Sequence, residues 1–438
     1  MKVVKFILFS SSILAFSSIA VSQLINGRLS VSVYAWEKFD TVGTSRHLTR
    51  GFSNLQLDVT QDDFSVHTYL SAASHLSGSF GDDASVRFSN AFLRWKNIGN
   101  IFDVNIGRVP VFAGAGIGTV DGAMVKARGW NDQMRFTCYG GANVPSDLRS
   151  NGFADLDKNF LIGGQWIGSF LERTRIGASY VNRRVKRENY TAIRPDSLFN
   201  PALVLVTPVV QSEQVVGFDA NYDYTSRYSA YGRYEFDINS KRSLRGEMNV
   251  RFHLMSELAL SGSYIYREPR VLYNSFFSLF PTEPVHEYEG GVEYTFSPSV
   301  SGFGRYAYVR YHDDLSRRLT MGLHCRYGSV SISGSNGYSG QITSVYVQGM
   351  YPLLNRMLVP TVGFSFASYR LSDRAQRRED VFAGSFGLVV RPVNSFSADA
   401  QLEWLRNKVA RNDVRVAAKV GYWFSYNLSP SRSTEAGK

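Results

Sequence analysis

The stretch Arg227-Tyr228-Ser229-Ala230-Tyr231-Gly232-Arg233-Tyr234-Glu235-Phe236-Asp237-Ile238 decides how the rest of the chain is read. Extended, it puts Tyr228, Ala230, Tyr234, Phe236 and Ile238 on one side, and Arg227, Ser229, Arg233, Glu235 and Asp237 on the other. The alternation recurs downstream. Leu244, Met248, Val250 and Phe252 oppose Arg245, Glu247, Asn249 and Arg251; Tyr288, Val292, Tyr294 and Phe296 oppose Glu287, Glu289, Glu293 and Thr295. Near the end, Val414, Val416, Ala418, Val420, Tyr422 and Phe424 oppose Asp413, Arg415 and Lys419.

A soluble sandwich would alternate too, with its polar side in water. Its strands, however, run to about 5–6 residues, whereas these run to the roughly 10 that a tilted strand needs to cross a bilayer. Aromatic residues such as Trp36, Trp95, Trp404 and Trp423 gather at strand ends, where headgroups meet a barrel. The polar faces carry both signs of charge, as a watery interior does. The pattern predicts an all-β, transmembrane, antiparallel up-and-down β-barrel.

Short connections recur at Gln61–Asp63, Asn97–Asn100, Tyr224–Ser226, Ser297–Ser299, Arg326–Gly328 and Pro392–Asn394. Longer ones alternate with them at Glu37–Arg50, Pro110–Thr119, Val144–Lys158, Tyr190–Val210 and Glu268–Pro284. Short periplasmic turns and long outer loops give about 22 strands, within a range of roughly 16–24, with both termini periplasmic. A second reading makes Ala202–Val210 a strand. No linker or shift in composition divides the 438 residues.

At the N-terminus, Lys2 and Lys5 precede the short apolar run Phe6–Ala20, and Ala20-Val21-Ser22 offers small residues for cleavage. Residues 1–22 read as a signal peptide, 23–426 as the barrel and 427–438 as a polar tail. Cys138 and Cys325, the two cysteines, fall on apolar faces and cannot form a disulfide framework. The net charge is +11, or +9 (46 basic against 37 acidic residues) without Lys2 and Lys5. For an exported protein that balance points to anionic headgroups or solutes, not nucleic acid.

The last strand ends in Gly421-Tyr422-Trp423-Phe424-Ser425-Tyr426, and here the chain resembles bacterial outer-membrane porins and porin-like proteins. In that family the aromatic final strand is read by the barrel-assembly machinery, so the resemblance implies that machinery as a partner. Here a polar tail, Asn427–Lys438, follows, where many members stop on the aromatic. Asn105-Ile106-Gly107-Arg108-Val109-Pro110-Val111-Phe112 and Gly118-Thr119-Val120-Asp121-Gly122 resemble the family's strand, Gly-Arg and outer-loop pattern.

Arg227, Arg233, Arg245, Arg251, Arg318, Arg326, Arg415 and Lys419 fall on the predicted lumen face, with Asp219, Glu235, Glu247, Glu287, Glu289 and Glu293. Facing rows of opposite charge would set a transverse field across a pore; alternatively, the charges pair along the wall, because desolvated ions need partners. The segment Ser197–Val210, with Leu198, Phe199, Leu203 and Leu205, is apolar enough to fold inward and constrict the pore or to pack on the rim; Val271–Pro281 is similar. Arg183, Arg184, Lys186 and Arg187 form a basic run at an outer rim, suited to lipopolysaccharide phosphates or to plain solvation.

Catalysis has little support. Seven histidines lack metal-ligand spacing, His312-Asp313-Asp314 points to alternate faces, and Gly114-Ala115-Gly116-Ile117-Gly118 lacks the lysine of a phosphate loop and reads as a flexible loop. No cofactor is expected. The expected function is passive diffusion of small hydrophilic solutes, preferentially anions, across the outer membrane. The rivals are a transporter of hydrophobic compounds and a structural or adhesive barrel with a blocked lumen. Expected partners are outer-membrane lipid and lipopolysaccharide, the solutes, and further copies in a homotrimer.

Overall fold

The computed structural model describes residues 23–39, 45–77, 84–145, 153, 155–186, 189–195, 197, 199–207, 212–224, 227–269, 283–338, 340–371, 377–408 and 412–428. The predicted signal peptide, Arg187, Leu198 and the whole of Val271–Pro281 lie outside them.

Strand follows strand throughout. The first half comprises β1 (Leu24–Phe39), β2 (Ser45–Gln61), β3 (Phe64–Ser77), β4 (Ala84–Ile98), β5 (Phe102–Ala113) and β6 (Gly116–Gly129). Next come β7 (Met134–Asn143), β8 (Phe160–Leu171), β9 (Thr174–Arg184), β10 (Tyr190–Pro195), β11 (Pro201–Val206) and β12 (Glu213–Tyr224). They continue as β13 (Tyr228–Asp237), β14 (Arg242–His253), β15 (Leu258–Arg267), β16 (Val285–Ser297), β17 (Val300–Tyr311) and β18 (Asp314–Cys325). The last are β19 (Gly328–Gly337), β20 (Gly340–Met350), β21 (Leu358–Arg370), β22 (Glu379–Val393), β23 (Phe396–Arg406) and β24 (Asp413–Asn427).

Twenty-two of these form one antiparallel sheet, which closes where β1 pairs with β24 from Leu24↔Asn427 to Ala35↔Val416. Closure leaves neither end strand of the sheet as an open edge, so the first and last strands find ladder partners without water. The other two, β10 and β11, make a separate hairpin, and β9 pairs directly with β12 across the gap. Pro201–Val206 is thus a strand within the expected loop, as the second reading of that segment had it. β1 and β2 also run further than expected, to Phe39 and from Ser45, into the predicted Glu37–Arg50 loop.

The two faces follow the alternation. Tyr234, Met248, Val250, Phe252, Tyr288, Val292, Tyr294 and Phe296 are exposed on the outside of the barrel. Cys138 and Cys325 are exposed as well. The expectation fails at Leu244, placed on the lipid face by its sequence neighbours. A bulge between Glu235↔Arg245 and Phe236↔Ser243 leaves Leu244 unpaired, and it is 8% exposed within an interior apolar cluster. An extra residue re-aims its side chain across the sheet.

The start of β1 and the end of β24 lie at one end of the barrel, with the tight turns at Asp62-Asp63, Asn97–Ile101, Pro298-Ser299 and Arg326-Tyr327. The opposite end carries the longer connections, but not only those: β17–β18 and β19–β20 close there in tight hairpins.

Candidate constriction of the lumen

The β5–β6 hairpin leaves the wall. β4 and β5 pair from Ile98↔Phe102 to Ala91↔Arg108 and no further. β6 meets β7 only from Val120 onward, while β5 and β6 stay paired with each other to Ala113↔Gly116. Val109–Thr119 is therefore a free-standing two-stranded flap. Pro110–Thr119, expected to be a long outer loop, is strand on either side of a tight turn at Gly114-Ala115.

The flap turns into the barrel. Val109, Val111, Ala113 and Val120 pack against Tyr139 on β7, Leu161 on β8, Val181 on β9, Val215 on β12 and Leu244 on β14, none more than 8% exposed. These wall residues share the inner face, since Ile162, Tyr180 and Phe218 beside them are exposed on the outer one. Polar contacts fix the tip: the Ala115 N–H donates to Ser179 Oγ at 2.9 Å, and Arg233 Nη2 donates to the Gly114 carbonyl at 3.0 Å. Phe112 and Ile117, directly paired on the other face, are 79% and 54% exposed and turn away from the cluster.

Small residues make the bend. Gly107 has φ +127°, and a Cβ there would lie 2.4 Å from the Ala91 carbonyl; only glycine fits so tight a departure from β4. At the tip, a Cβ on Gly116 would lie 1.8 Å from the Tyr139 hydroxyl. Arg108 anchors the base. Its Nε and Nη2 donate to Asp121 Oδ1 and Oδ2 at 2.7 and 2.8 Å, and Nη1 donates to the Phe88 carbonyl at 2.9 Å. Phe88 lies on β4 beyond the point where β5 has left, so the guanidinium takes the place of the missing strand.

Most predicted lumen charges pair along the wall. Arg233 meets Glu235 at 2.5 Å, Arg245 meets Glu247 at 2.6 Å, and Arg251 meets Glu293 at 2.8 Å. Arg318 bridges Glu287 and Glu289, and Arg415 meets Asp413 at 2.7 Å. Arg227, Arg326 and Lys419 form no ion pair among the described residues; nor do Arg305 and Arg391, two further basic residues of the lumen wall. Of the expected constriction residues, Phe199, Leu203 and Leu205 are 87%, 72% and 62% exposed on the β10–β11 hairpin, and Leu198 lies outside the described residues. The segment packed inside is Val109–Val120 instead. Its signal was legible: Val109, Val111 and Ala113 continue the inward parity of β5 beyond Arg108, and three glycines permit close packing. The basic run is dispersed, with Arg183 on Glu213 at 2.5 Å, Arg184 on the Asp157 carbonyl and Lys186 on Asp155.

No family model matches the sequence, and no curated protein does. Among solved structures the chain is similar to Acinetobacter baumannii OccAB4 (8% identity, TM-score 0.44, covering 93% of this chain and 99% of that one). It is similar to the translocation pore of the P pilus usher PapC (7%, 0.46, 92% and 99%). A third is Pseudomonas aeruginosa OccK2 in complex with glucuronate (8%, 0.40, 92% and 98%). The Occ proteins are outer-membrane porins. The likeness is distant, and the function rests on the barrel's own geometry.

Proposed function

We propose that the chain is a passive, porin-like channel of a bacterial outer membrane for small hydrophilic solutes. One observation carries this reading: a wide closed barrel is narrowed from within by a hairpin pinned to one wall, while the facing wall stays polar. Such a flap sets a cut-off in size without closing the pore. The terminal end would face the periplasm and the loop end the exterior.

A modest preference for anions rests on Arg305, Arg391 and Lys419, whose charge no wall carboxylate cancels; Asp219 and Asp399 temper it. Planar-bilayer recording of the refolded protein tests the proposal. Open steps with a reversal potential on the anion side support it, and Arg305→Ala with Lys419→Ala should move that potential toward zero. A silent bilayer contradicts the channel; an unmoved potential contradicts the assigned charges.

A further inference from the structure

The outer face of the barrel carries a second kind of charge. Around the loop end, one row of directly opposed residues runs Tyr288↔Tyr308, Tyr308↔Arg317, Arg317↔Asn336, Asn336↔Gln341 and Gln341↔Arg370 across β16 to β21. Its members share the parity of Leu319, Met321, Ile332 and Phe364, which are exposed to lipid. One position further toward the loops, His286 stands opposite Arg310, on the side of Tyr306 and Tyr308. Arg378 joins the row by donating from Nη2 to Gln341 Oε1 at 3.0 Å.

Arg310 and Arg317 are exposed, and among the described residues neither meets a carboxylate within ion-pair distance. Asp380 on β22 shares this face beyond Arg370, opposite Ser368. At the terminal end the same face presents Phe64, Trp95, Phe136, Phe252, Phe296 and Leu323, with the guanidinium of Arg173, a turn residue, stacked on Tyr224 there. Guanidinium groups on a lipid-facing surface are costly unless they sit at the interface with a counter-ion. The tight β17–β18 and β19–β20 hairpins add no long loop of their own above the row.

We infer that Arg310, Arg317, Arg370 and Arg378, with Asn336 and Gln341, form a binding site for the phosphorylated headgroup of an outer-leaflet glycolipid. The planar forks take phosphate oxygens in pairs, the amides bond the sugar hydroxyls, and the tyrosines at 288 and 308 mark the interface. The acyl chains then lie on the apolar face below. The site rests on the membrane setting proposed above, but it takes no part in conduction, so its failure and that of the channel are read separately.

The test is native mass spectrometry of the folded barrel with bisphosphorylated lipid A, dephosphorylated lipid A and phosphatidylglycerol. Wild type should retain the bisphosphorylated lipid best. Arg310→Gln with Arg317→Gln should weaken it by about 25-fold, or about fivefold per arginine, with conductance unchanged. If that pair fails to fold, Arg317→Gln alone should cost about fivefold and Arg317→Lys much less. Equal retention by wild type and variant, or equal binding of the dephosphorylated lipid, would overturn the site. Phosphatidylglycerol held as tightly as lipid A would overturn its assignment to a glycolipid.

Discussion

Arg108 and Asp121 face each other across the base of the inward hairpin, at the last residue pair β5 makes with β4, and clasp through two hydrogen bonds. The side chains are 9% and 17% exposed, so removing one leaves the other charge largely dry. Asp121→Ala should therefore cost on the order of 3–5 kcal/mol and loosen the flap. Heat-modifiable gel migration and single-channel noise check this; an unchanged melting point together with a quiet channel would show the clasp to be idle.

Gly116 and Tyr139 make a second, steric test. Gly116→Ala puts a methyl where the Tyr139 hydroxyl sits, an overpacking that should cost about 1–3 kcal/mol. That hydroxyl has no hydrogen-bond partner among the described residues, so Tyr139→Phe should be nearly neutral by itself. Combined, the two changes should recover part of the loss in a thermal melt, since a Cβ at 116 would still lie 2.8 Å from the ring Cζ. No recovery would mean the hairpin does not seat on β7.

Arg251 and Glu293 pair across the wall at 2.8 Å, each about two-fifths exposed. Arg251→Ala exposes a lone carboxylate, so the reversal potential should shift toward cations. Adding Glu293→Ala should return it near the wild-type value. If the single change leaves selectivity unaltered, the permeating ions do not pass this wall.

On the loop side, Lys186 Nζ donates to Asp155 Oδ2 at 2.7 Å. That hydrogen bond holds the Asp155 carboxyl below the ordinary aspartate range. A depressed carboxyl adds stability above its unfolded pKa and loses it as pH falls through the folded value. The loop before β8 should thus be nicked faster by pepsin once acid titrates Asp155, and Lys186→Ala should abolish that dependence on pH. Identical pepsin profiles for the two proteins would rule out the tether.

The barrel was legible because one rule, polar in and apolar out, holds along nearly every strand and reports directly on the two solvents. It was not enough where the chain leaves the sheet. Between Val109 and Val120 both faces are covered or lumen-facing, so the apolar residues signal packing against an inner wall assembled from strands far along the chain. The expected constriction by Phe199, Leu203 and Leu205 rested on apolar character alone, which cannot tell an exposed hairpin from a buried one. Charges posed a similar problem. Alternation placed Arg245 and Arg251 on the inner face, but register decided their partners: Glu247 two residues on, and Glu293 two strands away. Leu244 needed a bulge that no propensity announces.

The hairpin's role is tested most directly by replacing residues 110–119 with a two-residue Asn-Gly turn and measuring single-channel conductance against wild type. With the flap gone, the folded barrel should conduct several times more current and lose part of its size cut-off. Equal conductance from an equally stable barrel would contradict the account, because the hairpin would then not be what narrows the pore.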